Sequence, residues 1–188
     1  SVLRDEFCYC KRRICGECRA EDPEVSERGY VPTFPAIVDG VVYFHNDITC
    51  WAFNGFSPGN SMLWEASTRL PLGILPFEER VLHTLSVANG CVYVPLVTSA
   101  EAADYRITFL LVKYPRPYRA LFALDAQSGR TRWRLGGDDT GSTFEERASF
   151  PMAPLVEGDR LFVGATYSLR PTDPIEHYVT CLDARTGA

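Results

Sequence analysis

The chain has 188 residues, of which 46% are hydrophobic, 12% aromatic and 23% charged, and its net charge is −5. This supplies apolar material for a sizeable core at the length of about one domain. Thirteen prolines and fourteen glycines dispersed along it exclude disorder and collagen-like repetition, and no apolar run reaches the roughly 18 residues of a spanning helix. The basic residues are mostly arginines, but they are scattered in an acidic chain, which argues against a nucleic-acid surface.

In chain order, Ser1-Val2-Leu3-Arg4-Asp5-Glu6 has neither an initiator Met nor the apolar stretch of a secretion signal, so the chain is expected to begin inside a longer one. Cys8, Cys10, Cys15 and Cys18 follow as C-x-C-x4-C-x2-C. Four soft ligands this close can enclose one tetrahedral Zn²⁺, and in an oxidising compartment the same thiols can form two local disulfides. Lys11, Arg12, Arg13 and Arg19 favour the thiolate and so suit both outcomes. C-type haem is not expected, because Arg19 rather than His follows Cys18.

Three stretches beyond this point read alike: Pro35 to Phe44, Leu85 to Val94 and Ala153 to Phe162. Each is a short apolar strand, a polar-Gly turn and a second strand rich in Val, Tyr or Phe, which is a hairpin signature. A second unit follows each hairpin. Leu121-Phe122-Ala123-Leu124-Asp125-Ala126-Gln127-Ser128-Gly129 is matched by Val179-Thr180-Cys181-Leu182-Asp183-Ala184-Arg185-Thr186-Gly187, and more loosely by Cys50-Trp51-Ala52-Phe53-Asn54. The turn suits Asp, whose carboxylate accepts backbone N–H groups, and Gly, which reaches positive φ without strain. Each repeat is thus a meander of four strands, A to D, and the chain shows no convincing amphipathic helix. Such units bury both faces only when stacked, as in a β-propeller. The expected fold is all-β, a β-propeller fragment of about three blades. Residues 1–30 form a Cys-rich connection, 31–66 blade 1, 67–135 blade 2 and 136–188 a truncated blade 3. Cys50, Cys91 and Cys181 fall on strands and are expected in the core.

The stretch from Leu121 to Trp133 resembles the repeat of the PQQ-like β-propellers, the quinoprotein alcohol dehydrogenase-like superfamily. The Val-x-Gly-x-Val-Tyr hairpins resemble that family as well, over about residues 31–188. The resemblance implies that Trp64 and Trp133 lock neighbouring blades, with Asp125 and Asp183 in the docking turns. It departs from the pattern in blade 1, where Asn54 replaces Asp. Blade 3 ends at Ala188, inside a C–D turn and before the position of its Trp, so the chain reads as an arc of a larger ring.

In a meander the A–B and C–D turns lie at one end and the B–C and D–A connections at the other. The long segments, Ser67 to Thr84, Ala100 to Pro117, Gly136 to Pro151 and Leu169 to Glu176, all fall at the second end, which is the candidate functional face. Glu27-Arg28, Glu79-Arg80 and Glu146-Arg147 each precede a strand A. They are candidates for a polar rim toward a ligand or partner, or for Glu–Arg pairs between adjacent blades. His83 and His177 border long loops on that face and could join a site, whereas His45, in a B–C turn, is expected to be solvated.

The family's enzymes need PQQ, Ca²⁺ ligands and a catalytic Asp, and commonly carry an adjacent Cys-Cys pair. No adjacent Cys-Cys pair occurs here, Asp125 and Asp183 are explained by their turns, and three blades could not surround the cofactor, so PQQ and Ca²⁺ are not supported by this fragment. No nucleophile elbow, phosphate loop or H-E-x-x-H motif is present. The expectation is a non-catalytic scaffold that binds a protein or small ligand through the long-loop face, with the remaining blades supplied by the same or another chain. The alternatives are a fragment of a PQQ-dependent dehydrogenase and a zinc-bearing interaction module. The resemblance implies a periplasmic or extracellular location; a zinc-bound Cys cluster would instead suit the cytoplasm.

Overall fold

A computed structural model describes residues 33–57, 61–68, 70, 84–107, 110–138, 140–168 and 174–188, with the backbone alone for 101–116. The chain divides into Ser1–Tyr30 and Val31–Ala188. The Cys8–Cys18 cluster, Glu27-Arg28, Glu79-Arg80 and His83 lie outside the described residues.

Three antiparallel sheets succeed one another, each a meander. The first is β1 (Ala36–Val38), β2 (Val41–His45), β3 (Thr49–Asn54) and β4 (Met62–Ser67); the second is β5 (Ser86–Ala88), β6 (Cys91–Ile107), β7 (Leu110–Asp125) and β8 (Thr131–Leu135). The third has three strands, β9 (Leu155–Glu157), β10 (Arg160–Tyr167) and β11 (Glu176–Asp183). The innermost strands neighbour each other in turn, β1 beside β5 and β5 beside β9. This is a β-propeller fragment of two four-stranded blades and one incomplete blade.

The blades stack because alternate residues of each strand face opposite neighbours. Val92, Val94 and Leu96 of blade 2 pack with Tyr43, Cys50, Ala52 and Trp64 of blade 1, joined by Leu85 and Leu124. The intervening residues Cys91 and Tyr93, with Leu121 and Ala123, pack instead with Phe150, Leu161, Val163, Ala165 and Ala184. A one-residue slip in blade 2 would exchange its two faces and break both interfaces.

The hairpin turns hold that register. Asp39-Gly40 and Asn89-Gly90 have positive φ at both central residues, the type I′ pattern that matches strand twist. In blade 3 the register pairs Glu157 with Arg160, so the turn is Gly158-Asp159 and only Gly158 is at positive φ, as type II′ requires. The sequence alignment of Gly158 with Gly40 and Gly90 is therefore one residue off, and Phe162 is the equivalent of Tyr43 and Tyr93.

Other expectations are corrected. Ala100 to Pro117 is not a loop: β6 and β7 stay paired from Cys91↔Asp125 out to Ile107↔Leu110, a long two-stranded ribbon. Gly136 to Pro151 contains one helical turn, α1 (Phe144–Arg147). Cys50 and Cys91 are buried, but Cys181 is exposed, because no described strand or blade covers that side of β11.

Candidate functional site

The sequence repeats converge at the tight-turn end. Asp125 Oδ1 accepts the N–H groups of Gln127 and Ser128 and the Ser128 hydroxyl, closing a turn that leaves the Ala126 carbonyl free. Trp64 Nε1 of the preceding blade donates to that carbonyl at 3.0 Å, and the Tyr43 hydroxyl donates at 3.3 Å. At the next interface Asp183 holds the N–H groups of Arg185 and Thr186, and the Ala184 carbonyl accepts from Trp133 Nε1 at 3.1 Å and the Tyr93 hydroxyl at 3.0 Å. Gly129 and Gly187 supply the flat seat: at φ +69° and +76°, a Cβ on either would come within 2.7 and 2.9 Å of the indole that rests there.

The Arg132 guanidinium, followed by the Ser128 hydroxyl and N–H, holds the Asp125 carboxyl far below its ordinary range. Asp183 is lowered chiefly by the Thr186 and Arg185 N–H groups. Both carboxylates are engaged by their own turns, so they do not fit a role as free cation ligands or catalytic bases. Among the described residues no group of three or more His, Cys, Asp or Glu side chains could hold a metal. There, too, no helix is long and apolar enough to cross a membrane.

The long-loop end is built from residues that do not repeat. Arg119, in the middle of β7 and 4% exposed, reaches back to Asp47 in the β2–β3 turn of blade 1 at 3.1 Å. The Asp47 carbonyl accepts the Val97 N–H at 2.6 Å. On the other side the Arg119 N–H donates to Ser149 Oγ at 2.9 Å and its carbonyl accepts from Phe150 N–H at 2.9 Å. One strand segment thus ties all three blades together. Each buried polar group shown here has a partner, as the cost of leaving one unmade demands.

The connection into blade 3 folds back over the interface it spans. Thr143 caps α1, accepting the Glu146 N–H while the Glu146 carboxylate accepts from Ser142 and Thr143 N–H groups. Those N–H groups lower the Glu146 carboxyl. Phe144 packs edge-on to Tyr178 and tilted against Tyr167. Arg147 is buried: Nε donates to the Ser168 carbonyl at 2.7 Å and Nη2 to the Tyr118 hydroxyl at 3.1 Å, over whose ring the guanidinium sits.

The sequence candidates distribute as follows. Glu146 and His177 are exposed at this end. Glu146 caps its own helix, and Arg147 grips blades 2 and 3. His45 is not solvated but buried, with Nδ1 at 2.7 Å from the Asn46 carbonyl and Nε2 at 3.1 Å from that of Thr84. Asp47, Tyr118, Arg119, Ser149 and Ser168 were missed. An arginine inside the apolar run Tyr118-Arg119-Ala120-Leu121 was the available signal, since a charge there needs a partner.

No family model matches the chain, and no curated protein does. Among solved structures, the crystal structure of BamB from Moraxella catarrhalis is similar at 13% identity and a TM-score of 0.43, over 81% of this chain and 40% of that one. The chain therefore spans well under half of the length of that solved structure's chain.

Proposed function

We propose that this chain is part of a PQQ-like β-propeller that acts as a non-catalytic scaffold and holds a protein partner on its long-loop face. One observation carries the reading. The repeated residues are consumed in docking blade to blade, whereas the non-repeated ones gather at the long-loop end, where Asp47–Arg119 and Arg147–Ser168 anchor the β2–β3 turn and the connection that carries α1. A rigid frame with individual loops is what specific recognition uses.

Further blades, of the same or another chain, belong on both sides of the arc. Ile37 and Phe56 of blade 1 are 70% and 84% exposed, and Val179 of blade 3 is 82% exposed. Val179 lies on the strand face whose blade-2 counterpart packs on a next blade. A periplasmic or extracellular location accompanies this reading.

The test is photocrosslinking in the full chain from exposed Ser142, Glu145 and Ile175 at the long-loop end, against Gln127 and Arg130 at the tight-turn end. A discrete adduct with one protein from the first set alone is expected. Equal labelling from both ends sinks the proposal. The zinc-module reading rests on Cys8, Cys10, Cys15 and Cys18; native mass spectrometry with and without chelator tests it, a stoichiometric Zn²⁺ mass being its signature.

A further inference from the structure

The ribbon of β6 and β7 extends the functional face, and its two outer edges differ. β6 pairs with β5 only at Cys91–Tyr93 and β7 with β8 only at Leu121–Leu124. From Ala100 to Ile107 and from Leu110 to Pro117, each strand is paired along one edge only among the described residues. A two-stranded ribbon is marginal alone, and an unpaired edge is a template for a further strand.

The register decides which backbone groups face outward. Val97 and Arg119 are opposite each other, and both make backbone bonds away from the ribbon, to Asp47 and to Ser149 and Phe150. They are therefore an outward pair. Past the bulge after Val97, alternation makes Ala100↔Pro117, Ala102↔Pro115, Asp104↔Lys113 and Arg106↔Leu111 outward pairs as well. Both prolines of β7 thus fall where their missing N–H would have faced outward, which blunts that edge without costing a ladder bond. The β6 edge offers Ala100, Ala102, Asp104 and Arg106 with no proline, over about 20 Å at roughly 3.4 Å per residue.

We infer that the Ala100–Arg106 edge of β6 captures an extended segment of a protein partner as an added antiparallel or parallel strand. This rests on the scaffold reading above and deepens it by naming the mode of capture. The composition of the ribbon sets the partner's pattern. By register Ala103, Tyr105 and Ile107 share one face with Tyr114, Val112 and Leu110, bounded on the blade side by Glu101↔Arg116, while Ala102↔Pro115, Asp104↔Lys113 and Arg106↔Leu111 occupy the other. The captured segment continues the apolar stretch of the first face beside Ala103 and Tyr105, so it carries apolar residues at alternate positions there and lacks proline.

The probe is a fluorescein-labelled eight-residue peptide with valine at alternate positions and serine or lysine between, read by anisotropy with the full chain. Its control groups the same residues in two blocks. The alternating peptide is expected to bind at least tenfold more tightly. Ala102→Pro should weaken it tenfold or more, while Lys113→Pro, an equally outward position on the opposite edge, should leave it within twofold. Circular dichroism of both variants reports whether the ribbon survives. Equal binding of the two peptides, indifference to Ala102→Pro, or equal loss in both variants overturns the inference. So does dimerisation of the full chain that Ala102→Pro abolishes, since a second copy would then own the edge. If Ala102→Pro leaves the photocrosslinked partner in place, the scaffold reading stands and strand capture fails; if no partner crosslinks at all, the scaffold reading itself fails.

Discussion

The two ends of the same blade interfaces are held by different chemistry. At the tight-turn end each junction uses one device: a Trp indole and a Tyr hydroxyl donate to a single Ala carbonyl presented by an Asp turn. The ring geometry repeats too, with Tyr43–Trp64 and Tyr93–Trp133 centroids both at 6.0 Å. At the long-loop end the described side-chain contacts differ between the two junctions. Blades 1 and 2 use an Asp47–Arg119 ion pair, and blades 2 and 3 use Arg147 against Tyr118 and the Ser168 carbonyl. A backbone carbonyl can be reused in every blade because it is independent of sequence. Side-chain pairs are particular, and so the end that uses them is free to diverge. Assembly is encoded at one end and individuality at the other.

The largest effect should come from breaking the repeated device. Trp64→Ala removes a buried indole and opens the blade 1–blade 2 core, so a loss of about 3–5 kcal/mol is expected by chemical denaturation. Trp64→Phe keeps most of the packing, and Tyr43 still satisfies the Ala126 carbonyl, so only about 1 kcal/mol should be lost. A large loss in Trp64→Phe would show that the hydrogen bond, not the packing, dominates. The corresponding break at the other end is Arg119→Met, which leaves Asp47 without this cation and should cost about 3 kcal/mol. Adding Asp47→Leu should recover most of it, because a buried ion pair is often replaceable by apolar packing. Failure of the double variant to recover would mean that the pair positions the β2–β3 turn as well as neutralising charge.

This division also explains what the sequence made legible. The blades and the Asp125 and Asp183 turns could be read because they recur, and recurrence marks a local rule, whereas the Trp64 and Trp133 docking followed from the family resemblance. The ribbon from Ala100 to Pro117 could not, since its prolines at 115 and 117 resemble loop residues; only the register shows them at outward positions that ladders tolerate. Arg147 looked like a rim residue and is a buried clamp, because its partners Tyr118 and Ser168 are 29 and 21 residues distant in sequence. His45 sits beside turn residues yet lies under Thr84 of the next blade. The Gly158 misalignment is smaller in kind: type I′ and type II′ turns place glycine at different central positions, so matching glycines shifts the register by one.

Gly129→Ala comes next in size. It combines a left-handed φ with a Cβ 2.7 Å from the Trp64 ring, so the indole must withdraw from its seat. About 2 kcal/mol of destabilisation is expected from the conformational penalty and the displaced contact. Gly158→Ala offers the contrast. Its φ is +58° and nothing lies within 4 Å of the added Cβ, so only the backbone penalty of about 1 kcal/mol applies. Similar losses at the two sites would mean that the glycine seat contributes nothing beyond its dihedral angle.

The smallest effect separates turn geometry from charge. Asp125 and Asp183 have folded-state carboxyls lowered below their ordinary value of about 3.9, Asp125 chiefly by Arg132 and Asp183 chiefly by the Thr186 N–H. A depressed carboxyl contributes stability that is fully present above the unfolded value and disappears as pH falls through the folded one. The tight-turn end should therefore lose stability from about pH 4 downward, whereas Asn at these positions has no proton to gain. Blade 1 already shows that Asn can form such a turn: Asn54 Oδ1 accepts the Phe56 N–H at 3.0 Å. In Asp183→Asn the melting temperature at pH 7 should fall by only a few degrees, and its further decline between pH 5 and pH 3 should be shallower than in the parent chain. Asp125→Asn should lose more at pH 7, because the 2.7 Å bond to Arg132 no longer carries charge, and added salt should narrow that difference. If both variants decline with acid as steeply as the parent, the acid sensitivity belongs to carboxylates outside these two turns, and the tight-turn end does not set it.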